Sequence, residues 1–267
     1  MQNMEVPDWI KQLPEEQQQV AQDARNAIAR CLERQEPQVS DFVEPAFRPL
    51  VEGLVRDEPS LLFRWEGGYG GAERCRLLVY PDYVAEEELP PVLAAFVARA
   101  EVGQDAPAVR HADWLGSLLA TGIRRSKVGD LLLQPDGHSC QGVIVPELVD
   151  FLRTHWQRVG PWPVQVEPID VEALQPPGQR SRELRVFVSS LRLDVVASAG
   201  FRTSRTHMAR EIRAARVKLN WQGVVDPARN VKAGDVISIR GRGRLVVGET
   251  AGQSKKGRLL LVLQRFG

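Results

Sequence analysis

The chain has 267 residues, of which 43% are hydrophobic and 26% charged, with a net charge of +1. This is an ordinary composition for a folded, water-soluble protein and leaves room for two or three compact domains. No apolar run reaches the ~18 residues of a membrane span, and Cys31, Cys75 and Cys140 stand too far apart for a CxxC zinc pair or a disulfide framework.

The opening residues, "MQNMEVPDWIKQLPEEQQQ", have neither the apolar core of a signal peptide nor the acid-poor character of a transit peptide, so a cytosolic or stromal location is expected. Residues 1–60 read as a helical segment. "EEQQQVAQDARNAIARCLER" places Val20, Ala24, Ala27, Ile28, Cys31 and Leu32 at helical spacing until Pro37 breaks the pattern, and a second helix is expected in "PAFRPLVEGLVRD".

Residues 61–171 alternate. "RCRLLVYP" predicts a strand, "LPPVLAAFVARA" a helix, and "ADWLGSLLATG" a helix ended by Gly122. "DLLLQPDGHSCQGVIVP" predicts two strands about a Pro135-Asp136-Gly137 turn, "PELVDFLRTHWQRVG" a helix and "PVQVEPI" a strand. This mixture argues for an α+β protein with an α/β middle domain. "EALQPPGQRSRE" is rich in Pro, Gly and polar residues and predicts a linker over 172–182.

At that linker the charge changes sign. Residues 180–267 hold fifteen arginines and four lysines against six acids, a net +13, whereas residues 1–179 carry −12. So one-sided a charge points to a polyanionic partner, usually nucleic acid, the plain alternative being a solvated basic surface. In the C-terminal module, 183–267, "SSLRLDVVASAGF" predicts a helix capped by Ser189 or Ser190 and stopped by Gly200. "RTSRTHMAREIRAARV" predicts a second, with Thr203 or Ser204 as its cap. On a helical wheel from Arg205, the residues Met208, Ile212 and Ala215 share an apolar face, and Arg205, Arg210, Arg213 and Arg216 form an arc beside it. Strands are expected in "VKLN", in "DVISIRGRGRLVVGE" after the Gly234-Asp235 turn, and in "LLLVLQRF" after the basic turn "GQSKKGR". As a strand, "SIRGRGRL" would place Arg240, Arg242 and Arg244 on one face.

"LRLDVVASAGFRTSRTHMAREIRAARVKLN" followed by "VKAGDVISI" resembles the S-four (αL) RNA-binding domain in its R-L-D first helix, its S-R start of the second helix, its V-x-x-N strand and its G-D turn. With "ISIRGRGR", "GQSKKGR", "GGYGGAERCRLLVYPDY" and "HADWLGSLLATGIRRSKVGDLLL", the resemblance narrows to the YlmH type and covers roughly residues 65–267. Within it, the chain looks closest to a cyanobacterial and plastid branch labelled photosystem II S-four domain protein. One departure is that Trp221 and Gln222 stand before Gly223, where many such domains read V-x-N-G. This leaves the geometry of the first β turn open.

The resemblance implies an RRM-like middle domain, a helix pair that docks on structured ribosomal or transfer RNA, and association with the large ribosomal subunit or stalled peptidyl-tRNA complexes. Carried over by position, it implies that Arg192, Arg202, Ser204, Arg205, Lys218 and Asn220 face RNA. The wheel adds Arg213 and Arg216. His207 joins them from the basic helix, as do Arg240, Arg242 and Arg244 from the arginine-glycine stretch and Lys255 and Lys256 from the basic turn. Asp194 superficially matches the catalytic aspartate of pseudouridine synthases, but the S-R helix follows it at S-four spacing and no catalytic domain follows, so an ion pair or helix-packing role is expected. His111 and Asp113 have no third ligand at helical spacing, and His138, Ser139 and Cys140 read as a turn. The basic loop Gly122–Asp130 is either a second RNA contact or a structural turn. The C-terminal aromatics, Phe187, Phe201, Trp221 and Phe266, are few, which favours recognition of RNA shape and backbone, with Trp221 as the exception. The expected function is therefore non-enzymatic RNA binding without cofactor, metal, small-molecule substrate or membrane span. An RNA-modifying enzyme and an assembly factor of the photosynthetic apparatus are the alternatives.

Overall fold

The computed structural model describes residues 8–103, 106–176, 182–239, 241–254 and 257–266. Of the candidate site residues, Arg240, Lys255 and Lys256 lie outside the described residues. The chain divides into two units, 1–177 and 178–267.

The first unit begins with α1 (Asp8–Lys11) and α2 (Glu15–Arg34), followed by β1 (Gln38–Val43), α3 (Arg48–Arg56), β2 (Leu61–Glu66) and β3 (Cys75–Pro81). The predicted apolar stripe of α2 is its buried face. Ala24, Ile28 and Cys31 pack with Val51 and Val55 of α3 and Leu77 and Val79 of β3. Gln35, at φ 56°, closes α2 in the left-handed region and donates its N–H to the Cys31 carbonyl. The expectation of a purely helical first 60 residues is corrected here, because β1 pairs antiparallel with β3 in a sheet of order β1-β3-β2. "QVSDFV" alternates too briefly to announce itself, and its partner lies nearly forty residues downstream.

The unit continues with β4 (Ala94–Ala100), α4 (His111–Leu119), β5 (Val128–Leu133), β6 (Ser139–Ile144), α5 (Val149–His155), β7 (Arg158–Val159) and β8 (Trp162–Ile169), in an antiparallel sheet of order β5-β6-β4-β8-β7. Apart from the two-residue edge strand β7, the succession is β-α-β-β-α-β with its first and third strands, β4 and β6, inside the sheet, which is the RRM-like arrangement. Trp156 ties the helices to the sheet, meeting Trp114 of α4 and Phe96 of β4 edge-on at 5.8 and 5.9 Å. The helix expected in "LPPVLAAFVARA" is instead β4. Its alanines favour a helix, but the segment is paired on both sides, by β6 and β8, and that pairing overrides propensity. Leu174, within the segment read as a linker, is buried against this core.

The second unit contains β9 (Arg182–Val188), α6 (Leu193–Gly200), α7 (Arg205–Arg213), β10 (Val217–Leu219), β11 (Gln222–Gly223), β12 (Val236–Ile239), β13 (Gly243–Gln253) and β14 (Leu259–Phe266). Its antiparallel sheet runs β11-β10-β12-β13-β14-β9. Leu193, Val196, Met208 and Ile212 of the helices close over Leu219, Ile237, Leu245 and Leu263 of the sheet.

The arginine-glycine stretch is not one strand. β12 stops at Ile239 and β13 starts at Gly243, its cross-strand partner, and Arg242 donates its N–H to the Ile239 carbonyl at 3.0 Å. Gly241 and Gly243 at φ 78° and 86° make the reversal, which an L-residue would resist. Alternation of Arg with Gly looks like strand period, but the glycines supply a turn. Further along β13, a Cβ on Gly248 would lie 2.7 Å from the Val262 carbonyl oxygen of β14. Gly248→Ala is therefore expected to destabilise this unit by ~1–3 kcal/mol, read as a lower denaturation midpoint.

Candidate nucleic-acid interface

The helix pair is built around Asp194. Neither Ser189 nor Ser190 caps α6; Arg192 occupies that position. The loop ahead of β12 satisfies the start of the helix, with Leu193 N–H donating to Arg229 O at 2.8 Å and Asp194 N–H to Pro227 O at 3.1 Å. The Asp194 side chain is 4% exposed and accepts from Arg192 Nε and Nη2, both at 3.1 Å, and from Arg205 Nε at 2.9 Å. Burial pushes its carboxyl up, but the hydrogen bonds and charges of the two arginines together outweigh this and hold it below the usual carboxylate range. The ion pair expected for Asp194 is present.

Arg205 binds inward for a geometric reason. Met208, Ala209 and Ile212 are the buried positions of α7, and Arg205 projects from the same arc one turn earlier, where it meets α6. Its side chain nevertheless stays 54% exposed, and that of Arg192 37%, so the pair presents two fixed cations at the surface. Arg202 stands in the connection between the helices, exposed and at φ 52°. Ser204 caps α7 as predicted, its Oγ accepting from His207 N–H at 3.1 Å. Arg210 and Arg213 are exposed along the helix. The wheel overran at its end, because α7 stops at Arg213, Ala215 turns back at φ 55°, and Arg216 pairs with Glu211 at 3.2 Å.

The remaining candidates separate from this group. The Asn220 amide is taken up internally, with Nδ2 donating to Asp235 Oδ1 at 3.0 Å and Oδ1 accepting from Val236 N–H at 2.8 Å. Asp235, 6% exposed, also accepts from Lys232 N–H at 2.9 Å, which is why the V-x-x-N strand and the G-D turn occur together. Lys218 stands between buried Val217 and Leu219, so it projects from the sheet face turned away from the helices. Arg244 shares that face, opposite Ser238, and lies over the Phe266 ring at 4.9 Å. Arg242 sits in the hairpin turn. Thus Arg192, Arg202, Ser204, Arg205, His207 and Arg213 lie on the helix pair or its connection, with Arg192 and Arg205 joined through Asp194, and Lys218, Arg242 and Arg244 lie elsewhere.

In the first unit, the loop Gly122–Asp130 is largely structural. Arg125 donates to the carbonyls of Val128 and Gly129, Lys127 pairs with Asp41, and Asp130 accepts from Tyr69 Oη at 2.8 Å and Glu73 N–H at 2.7 Å. Those last contacts draw the β2–β3 loop across the RRM-like domain, where Gly68 packs against Val143, Val171 and Leu174. That sheet face, open in a single-strand reader, is partly covered by the chain itself. Asp113 is bound to Arg110 at 2.9 Å, and Asp136 organises the turn at His138 and Ser139. Burial pushes the Cys140 thiol up to about 12, far from a nucleophile's range. Among the described residues no group of three or more His, Cys, Asp or Glu side chains could hold a metal ion, and no helix is long and apolar enough to cross a membrane.

Residues 104–173 match the family described as "Putative RNA-binding domain in YlmH", and residues 191–237 match the S4 domain. Over 227 residues the chain is 31% identical to the ribosome-associated protein quality control protein P2 of Bacillus subtilis (strain 168), covering 85% of this chain and 86% of that protein. The chain belongs to the YlmH family. A solved structure of the cell division protein ylmH from Streptococcus pneumoniae is similar over 59% of this YlmH-family chain and 93% of that one, at 19% identity and a TM-score of 0.49. The S4 match spans both helices, the Asp194 cluster and the Asn220–Asp235 lock. Strands β9, β13 and β14, which widen the sheet, fall outside it.

Proposed function

We propose that this chain is a ribosome-associated RNA-binding protein that docks its α6–α7 pair on structured RNA of the large subunit, next to or including the tRNA of a stalled complex, and performs no bond chemistry. The observation that carries this reading is that Arg192, Arg202, Ser204, Arg205 and Arg213 all belong to one helix pair and its connection, two of the arginines held by Asp194, within a unit of net charge +13. Phosphate is the ligand such a group suits. The guanidinium forks bind its oxygens in pairs, and two of them are already held in place by Asp194. The quality-control relative, whose name states its ribosome association, supports the location, and its similarity runs through most of both chains.

Crosslinking in cells followed by RNA sequencing tests the reading. Large-subunit ribosomal RNA and tRNA are the expected products, with co-sedimentation on large subunits that falls steeply between low and high salt, as counterion release requires. Recovery of neither RNA above background would overturn it. So would a modified nucleoside appearing by mass spectrometry after incubation of the protein with tRNA or ribosomal RNA.

A further inference from the structure

The β10–β11 hairpin turns through two residues. Leu219 pairs with Gln222, and the residues between them, Asn220 and Trp221, both have left-handed backbones, at φ 50° and 64°. This is the geometry of a type I′ turn, in which the second central position strongly favours glycine. Asn220 tolerates such a conformation by residue type, and its amide and backbone N–H are locked to Asp235 and Val236. A tryptophan in that conformation is strained.

No polar or aromatic partner among the described residues accounts for the ring. Among the described residues the Trp221 side chain makes no hydrogen bond, ring contact or cation contact and is not among those packed on the core of its unit, although it is partly buried. The other aromatics of the unit are accounted for. Phe201 is buried with Arg265 at 5.6 Å, Phe266 lies under Arg244, and Phe187 occupies a regular strand position without backbone strain. A glycine at position 221 would make the same turn without strain, and no polar, ring or cation contact among the described residues calls for the indole.

We infer that Trp221 is a base-stacking residue, placed at the hairpin turn to receive an unpaired base of the bound RNA. The inference rests on the proposed RNA-binding function. A broad aromatic ring stacks on any base face, and on this cationic unit the incoming surface is a polyanion whose exposed apolar groups are unpaired bases. The helix pair then supplies phosphate contacts and the hairpin a single stacking contact, so the module distinguishes looped from fully paired RNA.

Trp221→Gly separates stability from binding. The variant is expected to melt at the same temperature as the wild type or higher, and to bind protein-free large-subunit ribosomal RNA about tenfold more weakly, equivalent to ~1.4 kcal/mol. Trp221→Phe is expected to recover most of the affinity, and on a fully paired RNA duplex the wild type and Trp221→Gly are expected to bind alike. Equal affinity for the ribosomal RNA would overturn the inference, as would a lowered melting temperature, which would make the ring a packing group. A loss seen with intact large subunits but not with protein-free RNA would mean that the ring meets a ribosomal protein, and would also overturn it. A wild-type chain that binds none of these RNAs removes the proposed function along with this inference. A wild-type chain that binds while Trp221→Gly binds equally removes this inference alone.

Discussion

Asp194→Asn is expected to weaken RNA binding about tenfold, although it makes the C-terminal unit one charge more positive. If the unit were only a reservoir of positive charge, deleting an acid from it would raise its affinity for a polyanion. The structure predicts the opposite sign because Asp194 fixes two of the cations. Arg192 gives it Nε and Nη2, and Arg205 gives it Nε. An arginine carries ~2 kcal/mol of rotamer entropy, and here much of that loss is borne on folding rather than on binding. An asparagine loses the charge and keeps only one acceptor oxygen, so the two side chains can no longer both be held. Fluorescence anisotropy with ribosomal RNA measures the effect, and tighter binding by the variant would mean that Asp194 positions nothing. Arg192→Lys and Arg205→Lys extend the test, because they keep the charge and lose the planar fork; they too are expected to weaken binding.

The same substitution is expected to cost roughly 2 kcal/mol of stability, the range for a hydrogen-bonded charged group, since the arginines are exposed enough to be rehydrated. The pH dependence has a definite sign. The folded pKa of Asp194 is depressed, so its contribution is fully present above the unfolded value of ~3.9 and is lost as pH falls through the lower folded value. Acid denaturation curves of wild type and variant are therefore expected to stay fully apart above about pH 4 and to draw together as pH falls below it.

The double variant Arg202→Ala, Arg213→Ala is expected to lose about tenfold or more of RNA affinity at low salt and to fold unchanged within ~0.5 kcal/mol. Both side chains are exposed, and neither takes part in the Asp194 cluster. If each neutralises one phosphate, the slope of log affinity against log salt shrinks by roughly 0.7–0.9 per residue, so the two proteins bind alike at high salt. An unchanged slope would remove both residues from the interface. Arg205→Ala is a less clean probe, because it leaves the buried Asp194 carboxylate with Arg192 as its single arginine partner and lowers stability as well as binding.

Local signals were readable wherever periodicity was long or a cap was specific. The apolar stripe of α2, the Ser204 cap and the strands "RCRLLVYP" and "LLLVLQRF" are in this class. Readings failed where two local preferences competed. Alanines in β4 suggested a helix, alternating Arg and Gly suggested a strand, and the wheel ran past Arg213 because nothing local marks Ala215 as a left-handed residue. The candidate site divided along the same line. Its membership in a basic C-terminal segment was readable, but the inward turn of Arg205, the internal use of Asn220 and the placement of Lys218 and Arg244 on the far sheet face were not.

The sequence by itself determined that the C-terminal third is a basic α+β module with the S4 pattern, because net charge, helix caps and turn residues are properties of neighbours along the chain. Only the tertiary structure decided which cations are held in place and which are spent. Asp194 and Arg205 lie on different helices, and Asn220 and Asp235 in different turns, so their contacts exist only once the core brings them together. The structure also exposed the strain at Trp221, because a left-handed φ belongs to the closed hairpin and not to the residue.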